Sequence, residues 1–387
     1  MQRFYTYMPV KIHFGFDLLE DETLFDLPYF KALIMTDKSE GLKSQGYLDK
    51  LLSQLKKHNI KSLIFDQIDH PLNKETIRAA TAMVRDFNCD MVLAFGGGKV
   101  IDAAKLTARF AREDFSLYEA WVKSGIKPPF EQKPLDLLVI PTNLNITSSI
   151  NAKAFVHDAK NDRYHRFKDD SLYPWVSLID PALFKTLDKM TIIPAVMDSL
   201  ARALEMIIDP QSIIHRMKSI EVMRLILDHI AGIQKSPIAD QTLYQLTYAI
   251  YTLHHLDMPK TKFPLHQMSD TIEGIHEKLP HSIFLSYGFL PYIDHRLEAA
   301  KPNDIEIIKR LFEATPYHSN NLYVAFKNLF EALNLPAFDF QSYGLDLALV
   351  SDYMVHLKSL FPQFDALKDD ALYDIIEGTL LKGGESF

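Results

Sequence analysis

The chain has 387 residues, 47% of them hydrophobic, and a single hydrophobic core rarely grows that large, so we expect two domains. A net charge of −8 with scattered lysines argues against nucleic-acid and membrane partners. One cysteine, Cys89, excludes an intramolecular disulfide, and the chain shows neither a signal-peptide pattern nor an apolar run of roughly 20 residues. These features favour a cytoplasmic enzyme with a small-molecule substrate.

Strand-like and helix-like segments alternate through the first half of the chain. Strands are predicted at 31–36, 61–66, 90–95 and 135–142, and helices at 46–59, 73–88 and 99–111. This alternation predicts a parallel sheet with helices on both faces. A ligand would then bind at the carboxyl ends of the strands.

From about residue 187 the pattern changes to helices alone. Apolar residues recur at helical spacing in the segments 197–208, 214–233, 240–257 and 320–334. We therefore predict an α/β domain at 1–185 and an all-helical domain at 186–387, with the boundary between Pro181 and Pro194. The predicted fold class is α/β plus all-α.

A glycine triplet lies between a predicted strand and a predicted helix, in the stretch FGGGKVIDAAK (95–105). Glycines let the backbone approach a ligand closely, and a helix N-terminus presents N–H groups to an anion. The stretch favours a site for a dinucleotide pyrophosphate, although a tight strand-to-helix connection would also use glycine. It does not match the G-x-G-x-x-G fingerprint.

This stretch resembles the iron-containing alcohol dehydrogenases of the dehydroquinate synthase-like superfamily. Members have GGGS followed by a helix carrying Asp and Lys, and here Lys99 replaces the serine. The shared residues are Gly96, Gly97, Gly98, Asp102 and Lys105. The resemblance extends over nearly the whole chain and implies an amino-terminal dinucleotide-binding domain followed by a helical metal and substrate domain.

The resemblance also implies which residues bind the cofactor. Asp37, in KALIMTDKS, resembles a residue near the adenosine ribose, which favours NAD over NADP. The stretch VIPTNLNITSSI (139–150) falls where family members read IPTTAGTGSEVT. Residues 143–146 replace small or glycine residues of the family, and Thr142 and Ser148 remain as hydrogen-bond donors. Arg166 falls near a family lysine. The predicted NAD(P) site consists of Asp37, Thr142, Ser148 and Arg166 together with the glycine triplet, Lys99 and Asp102. Alternatively, the altered loop at 143–146 borders a groove that binds no cofactor.

In the family, one Asp and three His hold a divalent metal, iron or zinc. MDSLARALE (197–205) resembles V-D-A-L-T-H-A-I-E, so Asp198 matches the Asp, whereas Arg202 stands where the first His is expected. His266 and His281 match the other two ligands, in LHQMSD and LPHS. Asp270 replaces a non-ligating His and is a candidate proton relay.

Arg202 has three interpretations. A guanidinium stays protonated and has no lone pair, so it cannot be a ligand. About 4 Å from a dication it would be repelled by roughly 8 kcal/mol at an effective dielectric near 20. In the first, Arg202 bends away and a metal keeps Asp198, His266 and His281, with or without Asp270. In the second, which we favour, the guanidinium takes the metal's position and pairs with Asp198. A surface ion pair with spacing i, i+4 is the third interpretation.

The resemblance implies hydride transfer between a nicotinamide cofactor and a small alcohol or aldehyde in an interdomain cleft, and suggests a homodimer. Asp270 and Arg202 are the candidate catalytic residues. The alternative is a catalytically degenerate relative that binds a nucleotide or a protein partner. A lyase or cyclase like dehydroquinate synthase is less favoured, because the sequence shows no basic cluster for a phosphorylated substrate. The substrate itself is not defined by the sequence.

Overall fold

The structure, a computed structural model, describes residues 7–38, 46–68, 71–158, 163–210, 212–255, 264–276, 279, 281–360 and 369–383. The chain divides into two compact units, and the division falls between Asp188 and Lys189. The boundary predicted from the sequence, after residue 185, lies just before this division.

The amino-terminal unit is built on a six-stranded parallel sheet with the strand order β1-β8-β5-β4-β2-β3. Its strands are β1 (Lys11–Phe14), β2 (Lys31–Thr36), β3 (Lys61–Phe65), β4 (Met91–Gly96), β5 (Asp136–Pro141) and β8 (Val176–Ile179). Its helices are α1 (Tyr47–Lys57), α2 (Lys74–Phe87), α3 (Gly98–Phe110) and α4 (Ser116–Ser124). A separate antiparallel hairpin pairs β6 (Lys153–Asp158) with β7 (Arg163–Lys168).

Burial explains why the central strands are so apolar. All six residues of β4 are buried, and so are five of the six in β2 and in β5. Strands covered on both faces need continuous apolar runs, whereas strands with one solvated face alternate. The helix α2 is capped at its N-terminus by Asn73, whose side chain accepts a hydrogen bond from the Thr76 N–H. Its C-cap is Asn88, which adopts the left-handed conformation. The predicted α/β fold of this half is confirmed.

Four strands of this unit were not assigned from the sequence. The edge strand β1 and its neighbour β8 have four residues each, which is too short for a periodic pattern to stand out. The hairpin strands β6 and β7 carry mixed polar and apolar residues, because much of one face remains accessible. They matter for the site, since the hairpin packs against α3.

The described secondary-structure elements of the carboxyl-terminal unit are all helices, as predicted. Its helices are α5 (Lys189–Ile208), α6 (Ile213–His229), α7 (Asp240–His254), α8 (Pro264–Ile275), α9 (His281–Glu298), α10 (Pro302–Glu313), α11 (Leu322–Leu333), α12 (Val350–Leu360) and α13 (Asp369–Gly383). The predicted helix at 240–257 extends past residue 255, and its last two positions lie outside the described residues. No helix in the described ranges combines the length and apolarity that a membrane crossing requires.

Helix α5 is buried along most of its length, which fixes the position of the residues it carries. Glu205, 2% exposed, accepts a hydrogen bond from Arg296 Nε on α9 at 3.1 Å and so ties the two helices together. Burial raises the pKa of Glu205 to about 7, although the Arg296 charge opposes that shift. Asp198, which is buried, and Arg202, which is partly exposed, lie on the same helix.

Candidate functional site

The glycine triplet lies at the carboxyl edge of the central sheet. Gly96 ends β4 and pairs with Pro141, the last residue of β5. The Thr142 N–H donates to the Gly96 carbonyl at 3.2 Å, so the start of the following loop is fixed against the triplet. Asp37 comes directly after β2, the neighbour of β4 on its other side. The structure therefore brings Asp37, the triplet and Thr142 to one edge, where ligands of parallel sheets bind.

The N-terminus of α3 is suited to a phosphate group. Its N-cap is Gly97, and no side chain caps the first turn. The first N–H groups of a helix have no partner within the helix, and the helix dipole favours an anion there. Lys99 is exposed in this turn and adds a positive charge. The backbone donors and the lysine together fit the pyrophosphate of a dinucleotide.

The three glycines differ in how tightly they are packed. A Cβ at Gly96 would lie 2.5 Å from Val100 Cγ2, so close packing of α3 on β4 requires glycine there. A Cβ at Gly97 would lie 2.7 Å from Asn143 Nδ2, whereas one at Gly98 would meet only Ser148 Oγ at 3.7 Å. Asn143 Oδ1 is buried and has no hydrogen-bond partner among the described residues. The Asn143 amide therefore lies over the turn, where it narrows the approach to Gly97.

Asp102 and Lys105 form a buried pair that joins α3 to the hairpin. Asp102 Oδ2 accepts from the Phe155 N–H at 3.1 Å and also binds Ser148, and its other oxygen lies 4.0 Å from Lys105 Nζ. Lys105 donates to the Asn151 side chain and to the Lys153 carbonyl, at 2.9 and 2.7 Å. Burial raises the pKa of Asp102 to about 6 and lowers that of Lys105 to about 8. These contacts hold the hairpin and the loop of Ser148 against the helix that begins at the glycine turn.

Arg166 is separate from this group in the described residues. It lies on β7 opposite Phe155, and its side chain is exposed. None of the contacts described above joins it to the glycine turn. Its predicted role near the cofactor stays a prediction that depends on positive charge alone.

In the helical unit, three of the predicted residues converge on the carboxylate of a fourth, Asp198. Arg202 Nε lies 3.2 Å from each oxygen of Asp198, one turn earlier on α5. His266 Nε2, from α8, donates to Asp198 Oδ1 at 2.8 Å. His281 Nε2, from the first residue of α9, lies 3.6 Å from the same oxygen. The Ser269 hydroxyl donates to the His281 carbonyl and so fixes the start of α9 against α8.

The charges in this cluster follow from its burial. Burial alone would raise the pKa of Asp198, but the Arg202 charge and the two imidazoles hold it well below its ordinary value. Burial, followed by the Arg202 charge, lowers the pKa of His266 to about 4, so this imidazole is neutral. His281 behaves oppositely, because its contact with Asp198 outweighs burial and raises the pKa to about 9. The arrangement therefore contains one carboxylate, one neutral imidazole and two cations.

The donor set of Asp198, His266 and His281 does not fit a divalent metal. Asp198 and the histidines are ligand types that zinc and iron prefer, but a guanidinium lies against both Asp198 oxygens. Among the described residues, the group whose ligand atoms lie within 4.8 Å of one another consists instead of Asp270, Glu273 and His281. Arg202 is paired with Asp198, and its side chain is only 22% exposed. This geometry favours the interpretation in which the guanidinium takes the metal's position over the interpretation as a surface ion pair.

Glu273 is a neighbour of this cluster that sequence reasoning missed. Its carboxylate lies 3.7 Å from His281 Nδ1, and Asp270, which is exposed, lies one turn earlier on α8. Spacing i, i+3 places both carboxylates on one face of the helix, and that spacing was the available signal. His281 therefore lies between the buried Asp198 and two more accessible carboxylates.

Residues 9–181 match the family described as iron-containing alcohol dehydrogenase. An aldehyde-alcohol dehydrogenase of Streptococcus pneumoniae is 29% identical over 184 residues, which are 45% of this chain and 21% of that protein. An NADPH-dependent butanol dehydrogenase of Clostridium saccharobutylicum is 26% identical over 198 residues, 51% of this chain and 50% of that protein. The aligned parts thus cover from about a fifth to a half of the length of these curated relatives.

Solved structures share the fold over almost the entire chain. An NADH-dependent butanol dehydrogenase from Thermotoga maritima superposes with a TM-score of 0.78 at 19% identity, covering 98% of this chain and 99% of that one. A sulfoacetaldehyde reductase from Bifidobacterium kashiwanohense, solved in complex with NAD+, gives a TM-score of 0.81 at 18% identity with the same coverage. At these identities the likeness establishes the two-domain fold, an α/β half followed by a helical half.

Proposed function

We propose, from the match of residues 9–181 to the iron-containing alcohol dehydrogenase family, that this chain is an NAD(P)-dependent oxidoreductase acting on a small alcohol or aldehyde. The observation that carries the proposal is the glycine turn, with its uncapped helix N-terminus beside Asp37 and Thr142.

The amino-terminal unit supplies the cofactor-binding residues. The N–H groups at the start of α3 and Lys99 would hold the pyrophosphate, and Thr142 and Ser148 would donate from the adjoining loop. Asp37 would bind the ribose and repel a 2′-phosphate, which favours NAD over NADP. The nicotinamide, when bound, supplies or accepts the hydride.

The helical unit supplies the groups that act on the substrate oxygen. Reduction of an aldehyde places negative charge on its oxygen, and a proton must then reach that oxygen. Arg202 would provide a fixed positive charge for that oxygen. His281, whose pKa is raised to about 9 by Asp198, is protonated at neutral pH and can donate that proton. Asp270, within 4.8 Å of the His281 ring nitrogen, would return a proton from solvent.

A cytoplasmic location and a homodimer remain part of the proposal. The single buried cysteine, Cys89, is consistent with a reducing compartment. A metal is not part of the proposal, since the Asp198 cluster does not fit one.

Fluorescence titration with NADH, followed by assays with a panel of short aldehydes, tests this function. We expect saturable binding, stronger for NADH than for NADPH, and aldehyde-dependent oxidation of NADH. Asp37→Ala should reduce the preference for NADH, because the repulsion of a 2′-phosphate is lost. Binding without turnover on any aldehyde would favour the catalytically degenerate alternative, and absence of binding would reject both.

A further inference from the structure

The guanidinium of Arg202 has hydrogen-bonding capacity that its own unit does not use. Its Nε atom is the donor to Asp198, and neither Nη atom forms a hydrogen bond with any residue in the described ranges. An arginine has five N–H donors in a planar fork, so four of them remain for another acceptor. The side chain is 22% exposed, so part of it reaches the surface.

Asp198 and His266 hold this fork in place. Asp198 is 8% exposed and makes its contacts to Arg202 and His266 with lone pairs that a metal would otherwise use. His266 is 5% exposed, and its Nε2 contact with Asp198 Oδ1 at 2.8 Å orients the carboxylate towards Arg202. A donor fixed by a buried carboxylate needs little reorganisation when charge develops nearby, and this is the property that makes oxyanion donors effective.

We propose that Arg202 replaces a metal ion as the electrophile of this enzyme, and that its Nη atoms donate to the carbonyl oxygen of the substrate. This inference rests on the proposed function. A reduced nicotinamide, when bound, would supply a hydride with its electron pair to the carbonyl carbon, so that a C–H bond forms while the C=O π electrons move to oxygen. The resulting alkoxide would be stabilised by Arg202 and would take a proton, delivered from solvent through Asp270 and His281, to give the alcohol. The aldehyde is reduced, the dinucleotide is oxidised, and no metal is required.

The proposal also defines the substrate class. A guanidinium offers less charge stabilisation than a dication, so it suits carbonyls that are already electrophilic. We therefore expect aldehydes to be reduced much faster than ketones, and alcohol oxidation to be slow. Asp270 and Glu273 lie on the accessible side of His281, and their charge should disfavour substrates that carry a carboxylate.

Arg202→His tests the replacement directly, with a readout other than activity. Wild-type protein dialysed against chelator and then incubated with ZnCl2 should retain far less than one zinc per chain. The variant loses the repulsion and gains an imidazole next to Asp198, so its zinc affinity should rise by more than about 100-fold. Arg296→His is the matched control, because it alters another buried arginine–carboxylate pair that lacks the two histidines, and it should gain no zinc.

The activity assay separates this inference from the proposed function. Wild-type turnover of butanal with NADH should persist after chelation, whereas Arg202→His should become zinc-dependent. Stoichiometric zinc in the wild type, or turnover abolished by chelator, would overturn the role of Arg202 and leave the dehydrogenase proposal intact. Failure of the wild type to bind NADH would reject the proposed function, and the role of Arg202 in reduction with it.

Discussion

Arg202→Met is expected to reduce the turnover number for aldehyde reduction by about 10²–10³-fold, the usual effect of removing one oxyanion donor. The substitution keeps the length of the side chain and removes every donor. Affinity for NADH should stay within a factor of two of the wild-type value. The proposed cofactor-binding residues all lie in the amino-terminal unit, whereas Arg202 lies in the helical unit. The loss should appear in kcat more than in KM, since the contact is strongest when the oxygen carries charge.

The same variant should also lower stability, because it leaves Asp198 buried with one partner fewer. Breaking a buried ion pair typically costs about 3–5 kcal/mol, and the partial exposure of Arg202 places this case near the lower limit. Arg296→Met breaks the pair with Glu205 and should destabilise by a similar amount, yet retain turnover at permissive temperature. Arg202→Lys should restore part of the activity. If Arg202→Met and Arg296→Met lost activity equally, Arg202 would have a structural role only.

Gly96→Ala is expected to disrupt the glycine turn. The new Cβ would lie 2.5–2.8 Å from all three side-chain carbons of Val100, a branched residue at the buried start of α3. Neither side chain can move without displacing the helix from β4, so we expect a loss of about 1–3 kcal/mol, the typical cost of overpacking. Displacement of α3 would also move the N–H groups at its N-terminus, so the affinity for NADH should fall at least tenfold. Thermal unfolding and NADH titration measure the two effects.

Gly98→Ala serves as the comparison, since its Cβ would meet only Ser148 Oγ at an ordinary 3.7 Å. Its melting temperature should stay close to that of the wild type, whatever its effect on NADH. Equal destabilisation by the two alanines would show that the turn is not packed as described.

The sequence predicts the central part of the fold well, because β2, β4 and β5 are continuous apolar runs between amphipathic helices. Four-residue strands such as VSLI in β8 carry too little pattern to be assigned alone, and this strand joins the sheet through its register with β5 and β1. In the helical half, α5 is buried on nearly every face, so its extension back to Lys189 is not visible in a periodic pattern that starts at Met197.

The site is predictable as a set of residues but not as a set of contacts. Spacing i, i+4 places Asp198 beside Arg202, and the family pattern associates both with His266 and His281. That Arg202 engages Asp198 through Nε, and so leaves its Nη fork for a ligand, depends on side-chain rotamers set by packing. The proximity of Glu273 to His281 depends on the angle between α8 and α9, which no local pattern determines.

The opposite charge states of the two histidines also depend on three-dimensional contacts. Both are matched ligands in the sequence, but burial and the Arg202 charge lower the pKa of His266 to about 4. The contact with Asp198 and the carboxylates of α8 raise that of His281 to about 9. Residue type alone predicts neither charge state.

Diffraction at the zinc absorption edge, from crystals grown with ZnCl2 and NAD+, would test the pairing of Arg202 with Asp198 most directly. We predict no anomalous peak between Asp198, His266 and His281, and Arg202 Nε within hydrogen-bonding distance of both Asp198 oxygens. A strong peak bound by these three side chains, with Arg202 turned away from Asp198, would contradict the account.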